Sequence, residues 1–242
     1  MGLRTREDYI EALSKMNNNI YCDGEKVSRL DPRFEGCINV LAKTYELAQE
    51  PENAELMLAK SHLTGETINR FNHIHQSTDD LHKKQDMTCL CCNKIGTCCR
   101  RCMGIDAANA VNAVAYEAQK LPDRKTNYYD NFLKWLKNFQ EKDLIASCAQ
   151  TDVKGDRMKR PGEQLDPDQY VHIDEERPDG IVVSGAKVHI SEAIASDEII
   201  VLPCRSLVKG EEAYAVSFAI PSDSEGIKQI VSIREMHKRE HY

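Results

Sequence analysis

The sequence predicts an α+β fold, an N-terminal helical domain (residues 1–144) followed by a small antiparallel β domain (residues 145–242), and two observations predict it. Up to about Glu141 apolar residues recur at three- and four-residue intervals, the period of amphipathic helices. From about Leu144 the segments shorten and β-branched residues between turn signals dominate. The size of the chain, 242 residues with a formal net charge of −7, bounds it to one large or two modest globular domains.

Thr5 and Asp8 stand as a capping box ahead of Tyr9, Ile10 and Leu13, which predicts a first helix over residues 5–16. The turn residues Gly24 and Pro32 mark an extended excursion after it. A second helix starts at Gly36 and stops before Pro51, and residues 53–59 read as a short third one. Residues 98–120 are rich in Ala and good helix formers. Residues 127–141 place Phe132, Trp135, Leu136 and Phe139 on one helical face. Residues 180–190, 198–204 and 214–220 read as strands, with Asp179-Gly180 and Lys209-Gly210 supplying turns.

An acidic balance of 32 Lys and Arg against 39 Asp and Glu argues against nucleic acid as a partner. No apolar run approaches the roughly 20 residues that span a bilayer, and MGLRTREDYI lacks the apolar core of a signal peptide. A cytoplasmic protein with reduced thiols is the expectation.

Six of the ten cysteines fall between Cys89 and Cys102, a concentration that packing alone does not require. Cys89-x-x-Cys92 and Cys99-x-x-Cys102 form two pairs of the kind that hold zinc, separated by only six residues, which is short for a zinc ribbon. Cys98 and Cys102 are four apart in a helical composition, which would put both thiolates on one helical face beside one metal centre. Free thiols without a ligand are the third alternative.

Residues 60–81 carry many polar groups, among them His62, Asn69, Arg70, Asn72, His73, His75 and Gln76, with few of the Lys and Glu that solvate an exposed helix. Such a segment is expected to pack against a cofactor or another subunit. The loop of residues 148–164 offers the short side chains of Thr151 and Asp152, the permissive backbone of Gly155, and the positive charge of Lys154, Arg157, Lys159 and Arg160 for phosphates.

The stretch TINRF, then IHQSTDDL, with TYELAQEPENAELM before it and CMGIDAANAVNAVAYE and TDVKGDR after it, closely resembles the 4-hydroxyphenylacetate 3-hydroxylase family of flavoproteins. Within that family it is similar to the acyl-CoA dehydratase and Δ-isomerase branch, and the resemblance covers nearly the whole chain. It implies an acyl-CoA dehydrogenase-like architecture without its C-terminal helical domain. It implies FAD contacts at Gln150, Thr151, Asp152, Val153, Lys154, Gly155, Asp156, Arg157 and Ser191, and acyl-CoA substrate contacts at Asp156, Arg157, Met158, Lys159 and His189. Cys98 and Cys102 align with two ligands of a 4Fe-4S cluster, which the phenol hydroxylases of the family do not carry. Val153 stands where the family has proline, and Ser191 where the dehydratases have threonine.

The implied chemistry is a radical dehydration, in which flavin takes one electron from the substrate and the cluster acts as Lewis acid at its hydroxyl. The remaining cluster ligands and the catalytic base belong to a C-terminal half, which the chain, ending at Tyr242, is expected to lack. A separate chain supplying that half, or self-association, is therefore expected, or else a truncated product. Two thiolates alone leave a cluster half-ligated, and His237 and His241 could imitate the absent ligands only from a solvated tail. The alternatives are a flavin-dependent aromatic hydroxylase relative without iron, and a zinc-binding or inactive remnant.

Overall fold

The computed structural model describes residues 3–121 and 127–232; His237 and His241 lie outside the described residues. Among the described residues six α-helices precede residue 142: α1 (Arg6–Lys15), α2 (Glu35–Gln49), α3 (Ala54–Met57), α4 (Thr78–Ile95), α5 (Cys102–Ala118) and α6 (Tyr128–Glu141). Two short hairpins interrupt them, β1 (Ile20–Cys22) with β2 (Glu25–Val27), and β3 (Leu58–Lys60) with β4 (Thr67–Asn69). The later strands are β5 (Ala146–Ala149), β6 (His172–Arg177), β7 (Gly180–Ser184), β8 (Glu198–Val201), β9 (Phe218–Pro221) and β10 (Gln229–Val231). No described helix is long and apolar enough to cross a membrane.

Local signals account for most boundaries. The Thr5 hydroxyl accepts the Asp8 amide at 3.1 Å while the Asp8 carboxylate accepts the Thr5 amide at 2.9 Å, so the expected capping box starts α1. A second box, Ser77 with Asp80, starts α4, a helix that the composition of residues 60–98 did not announce. Gly96 at φ 78° terminates it. The helix expected over residues 98–120 begins only at Cys102, because Arg100 sits at φ 60° and a left-handed residue cannot continue a right-handed helix. Cys98 and Cys102 therefore do not share a helical face.

The expected antiparallel β domain is corrected to mixed sheets. β5 pairs in parallel with β8, which pairs antiparallel with β9; β6 and β7 form a separate hairpin. β7 ends at Ser184 rather than at residue 190, because Gly185 turns the chain at φ 126° and lies so close to Tyr170 that a Cβ would meet its carbonyl at 2.5 Å. β10 returns to lie parallel to β1, completing the order β10-β1-β2.

Three of the four buried clusters among the described residues join the helices to one another and to the strands. α1, α2 and β1 share Tyr9, Leu13, Ile20, Leu41 and Tyr45. α5 and α6 close over β5 and β8 through Ala107, Ala108, Phe132, Leu136, Phe139 and Ile200. Leu47, Met57, Phe71, Met87, Cys91 and Cys99 fill the space between α2, α3 and α4. The α5–β5 contact depends on Gly104, where a Cβ would lie 2.3 Å from the Ala146 carbonyl oxygen. Gly104→Ala is expected to lower unfolding free energy in a denaturant titration by about 1–3 kcal/mol. Gly36→Ala, at a helical position with open space around the added carbon, should instead raise it by about 0.5–1 kcal/mol.

Candidate functional site

The cysteine-rich stretch resolves into a helix, a turn and a second helix. Cys89, Cys91 and Cys92 ride on α4, Cys98 and Cys99 lie in the connection, and Cys102 is the first residue of α5. Cys98 is exposed, Cys99 buried and Cys102 half-buried. Cys102 and Cys91 neighbour the Cys99 thiol; interaction with Cys102 pulls its pKa down, but Cys91 and burial push it up to about 12. Cys91 also lies 3.7 Å from the Met57 sulfur. Cys89 is exposed on another face of α4, so the turn gathers Cys91, Cys99 and Cys102 rather than the two spaced pairs of a zinc ribbon. Cys102 opens α5 at the positive end of a helix dipole, but its contact with Cys99 and its burial push its pKa well up, so the unligated thiol is held toward its neutral form.

The two arginines between these cysteines point opposite ways. Arg101 turns inward, 2% exposed, and donates to the Asp143 carboxylate at 2.6 Å, to Asn72 Oδ1 at 3.2 Å and to Thr44 Oγ1 at 3.3 Å. Its guanidinium also lies 4.4 Å from the centre of the Tyr45 ring. Arg100 turns toward the later part of the chain, where its Nε is 3.6 Å from Glu192 Oε1. The Glu192 side chain is 2% exposed, its Oε1 has no hydrogen-bond partner, and burial, offset in part by Arg100, pushes its pKa up to about 7.

The polar segment of residues 60–81 makes many of its hydrogen bonds within this chain. Arg70 donates to the carbonyls of Leu56 and Leu58, each at 2.6 Å, and Asn72 to those of Phe139 and Leu144, each at 3.1 Å. Asn69 Nδ2 reaches Asp143 at 3.4 Å. His73 Nε2 lies 3.2 Å from Asp80, while His75 Nε2 is buried without a partner, as is Asn112 Oδ1 on α5. Burial lowers the pKa of both histidines, so each is held toward its neutral form.

The loop after β5 is pinned at its root and open at its tip. Lys187, which sequence reasoning did not single out, donates to the carbonyls of Gln150 at 3.0 Å and Leu202 at 2.7 Å and pairs with the Asp152 carboxylate. The Val188 amide adds a bond to the Thr151 carbonyl at 2.9 Å. Thr151, Asp152 and Val153 are half-buried as a result, while Gln150, Lys154, Gly155, Asp156, Arg157, Met158 and Lys159 are exposed. The Gln164 side chain braces the tip, accepting from the Asp156 amide at 3.0 Å and donating to the Asp156 carbonyl at 2.9 Å. Gly155, at φ 49°, is approached by Gln169, whose Nε2 would lie 1.7 Å from an added Cβ. Arg160 is spoken for: its guanidinium holds Glu211 and the Ser206 carbonyl, whereas Lys154, Arg157 and Lys159, the other cations of the expected phosphate set, are exposed and form no ion pair among the described residues.

His189 and Ser191, exposed, lie on the strap that leads from Lys187 to Glu192. His189 and Glu192 both have left-handed backbone, at φ 57° and 61°. Among the described residues, the five non-glycine residues with positive φ include these two, Arg100, and Asp143, the partner of Arg101. Each such residue costs on the order of 1–2 kcal/mol against right-handed backbone, and four of the five sit at the contacts between the cysteine turn and the strap or its anchor. The Arg100–Glu192 pair thus brings the segment carrying Cys98 and Cys102 beside the segment carrying Ser191.

The family model described as 4-hydroxyphenylacetate 3-hydroxylase N terminal matches residues 5–241. The 4-hydroxybutyryl-CoA dehydratase/vinylacetyl-CoA-Δ-isomerase of Clostridium aminobutyricum is 49% identical over 232 residues, covering 94% of this chain and 46% of the relative. The 4-hydroxyphenylacetate 3-monooxygenase oxygenase component of Thermus thermophilus is 29% identical over 231 residues, covering 93% of this chain and 45% of that protein. Among solved structures, an oxygen-tolerant archaeal 4-hydroxybutyryl-CoA dehydratase from N. maritimus has a TM-score of 0.89 at 37% identity, over 95% of this chain and 45% of that one. The oxygenase component of 4-hydroxyphenylacetate 3-monooxygenase complexed with FAD, at TM-score 0.76 and 24% identity over 94% of this chain and 46% of that one, shares the fold. The chain spans about half the length of the relatives it matches.

The raised pKa of Glu192 gives a pH dependence of known sign. The carboxyl ionises near its ordinary value of 4.5 when unfolded and at about 7 when folded, so stability falls as pH rises across that window and levels above it. Relative to Glu192→Gln, which cannot ionise, the parent chain should lose on the order of 2 kcal/mol of unfolding free energy between pH 4.5 and pH 8, measured by denaturant titrations across pH.

Proposed function

Since the chain belongs to the 4-hydroxyphenylacetate 3-hydroxylase family through its N-terminal model, we propose that it is the N-terminal part of a flavin- and 4Fe-4S-dependent dehydratase. The substrate would be 4-hydroxybutyryl-CoA, converted to crotonyl-CoA, with vinylacetyl-CoA Δ-isomerase activity at the same site. The identity of 49% to such an enzyme, against 29% to an aromatic monooxygenase component, favours the dehydratase over the hydroxylase. The observation that carries the proposal is the juxtaposition of the Cys98 and Cys102 turn with the 189–192 strap.

The residues fit the groups this function needs. Cys98 and Cys102 offer the soft thiolates that iron–sulfur clusters take, and they would hold two cluster positions. The others would come from a second half of the enzyme, in the same polypeptide or a separate one, which would complete an acyl-CoA dehydrogenase-like arrangement. Residues 150–157 and Ser191 would contact FAD, with Lys187 fixing the root of the loop. Asp156, Arg157, Met158, Lys159 and His189 would meet the acyl-CoA, and the open cations Lys154, Arg157 and Lys159 suit its phosphates. When bound, flavin and cluster supply one-electron chemistry and Lewis acidity for removing the hydroxyl. The chain's own part is to orient both groups and to hold the thioester at the open tip of the loop.

The test is the iron, sulfide, zinc and flavin content of anaerobically purified chain. Iron and sulfide should be present and should vanish in the variant carrying Cys98→Ala and Cys102→Ala; flavin without iron, indifferent to those substitutions, would indicate a hydroxylase relative, and stoichiometric zinc lost on mutating Cys89 or Cys92 would indicate a zinc protein. Lys187→Met should weaken FAD binding roughly tenfold, by analogy with the loss of an outer-shell contact, in a fluorescence titration, with iron content unchanged.

A further inference from the structure

Arg100 and Glu192 meet across the gap between the cysteine turn and the strap. Both have left-handed backbone without being glycine, at φ 60° and 61°. Glycine would adopt those angles without strain, so stability alone does not account for a guanidinium and a carboxyl there. Nor does hydrogen bonding. The Glu192 side chain is 2% exposed with Oε1 unpartnered, and Arg100 Nε approaches that oxygen only to 3.6 Å. A buried carboxyl left short of donors is destabilising rather than stabilising. Strained, under-bonded and oppositely charged groups concentrated at one contact are the pattern of a functional constraint.

The placement of the pair says which one. Arg100 is two residues from both Cys98 and Cys102, and Glu192 immediately follows Ser191. Arg101 anchors the other side of the same turn through Asp143, so the turn is held from two directions, by a buried pair within the helical part and by an ion pair to the strap. Cys37 on α2 also faces Glu192: burial pushes its pKa up to about 11, with the carboxyl adding to the rise and Arg100 opposing it.

We propose that Arg100 and Glu192 are positioning residues, an electrostatic strut that sets the cysteine turn against the strap and so fixes the spacing between the thiolates of Cys98 and Cys102 and the group bound at Ser191. The assignment of that group as flavin and of the thiolates to a cluster rests on the proposed function; the strut itself does not.

The experiment is a double-mutant cycle on the full chain with Arg100→Gln, Glu192→Gln and the two combined. The first readout needs no cofactor: residue-resolved alkylation rates by iodoacetamide, followed by mass spectrometry. Cys102 should react several-fold faster in either single variant, and the double variant should be no faster than the singles, while exposed Cys89 and Cys204 and buried Cys22 keep their parental rates. A general loosening would instead expose Cys22. The second readout is FAD affinity and iron content after anaerobic reconstitution, both expected to fall roughly tenfold in either single variant, with Arg100→Lys restoring most of the loss. Unchanged Cys102 rates in the single variants, or rates that multiply in the double, would overturn the strut. A parent chain that takes up neither iron nor FAD would defeat the proposed function while the alkylation cycle still decides the strut.

Discussion

The buried pair of Arg101 with Asp143 is the interaction on which the arrangement of this chain depends. One guanidinium, 2% exposed, ties the cysteine turn to α2 through Thr44 and Tyr45, to the polar segment through Asn72, and to the start of β5 through Asp143 and the Leu144 carbonyl at 3.4 Å. A buried ion pair contributes little net stability against an apolar replacement, yet losing one partner leaves an uncompensated charge at a penalty of about 3–5 kcal/mol. Such a pair specifies position more than it adds stability. Here it fixes where α5 begins, and through the Gly104 contact with Ala146 it fixes how α5 lies on β5.

The same hub explains why so much polar surface is tolerated inside. Arg70, Asn69 and Asn72 use their donors on carbonyls and a carboxylate that the irregular path of residues 54–72 and 139–144 would otherwise leave unpaired. One gap lies at its centre, where Arg101 Nε has no partner, and others lie at its margin, where His75 Nε2, Asn112 Oδ1 and Glu192 Oε1 have none. Those margins lie on or beside the elements that carry the candidate site, where a protein commonly departs from complete hydrogen bonding.

What was legible in the sequence follows from the range of the interactions. The Thr5 box, the apolar face of α6 and the stop before Pro51 are set by neighbours a few residues apart, and the structure places them as expected. The continuous helix over residues 98–120 was not, because the left-handed turn at Arg100 is set by long-range contacts of Arg101 with Asp143 and of Arg100 with Glu192 that no local pattern reveals. The mixed sheets escaped for a like reason: β5, Ala-Ser-Cys-Ala, has no β-branched residue and was not expected as a strand, and only tertiary packing pairs it in parallel with β8. Residues of the candidate site were legible as types, thiols and short polar side chains beside glycine. Lys187, which pins the loop, looks like any surface lysine until Asp152 and two carbonyls surround it.

The pairing of β1 with β10 has a consequence for the order in which the molecule can form. Ile20 lies opposite Gln229, and the Asn19 carbonyl accepts the Gln229 amide at 3.0 Å. During synthesis, at roughly 5–20 residues per second, the β1–β2 hairpin therefore emerges some ten seconds or more before its third strand exists. Through that interval Tyr21 and its neighbours present an unpaired edge to the cell, the kind of edge that invites intermolecular pairing. The helices can close around Arg101 as soon as Asp143 is made; the sheet at the start of the chain is a vectorial latecomer, finished by its most distant partner.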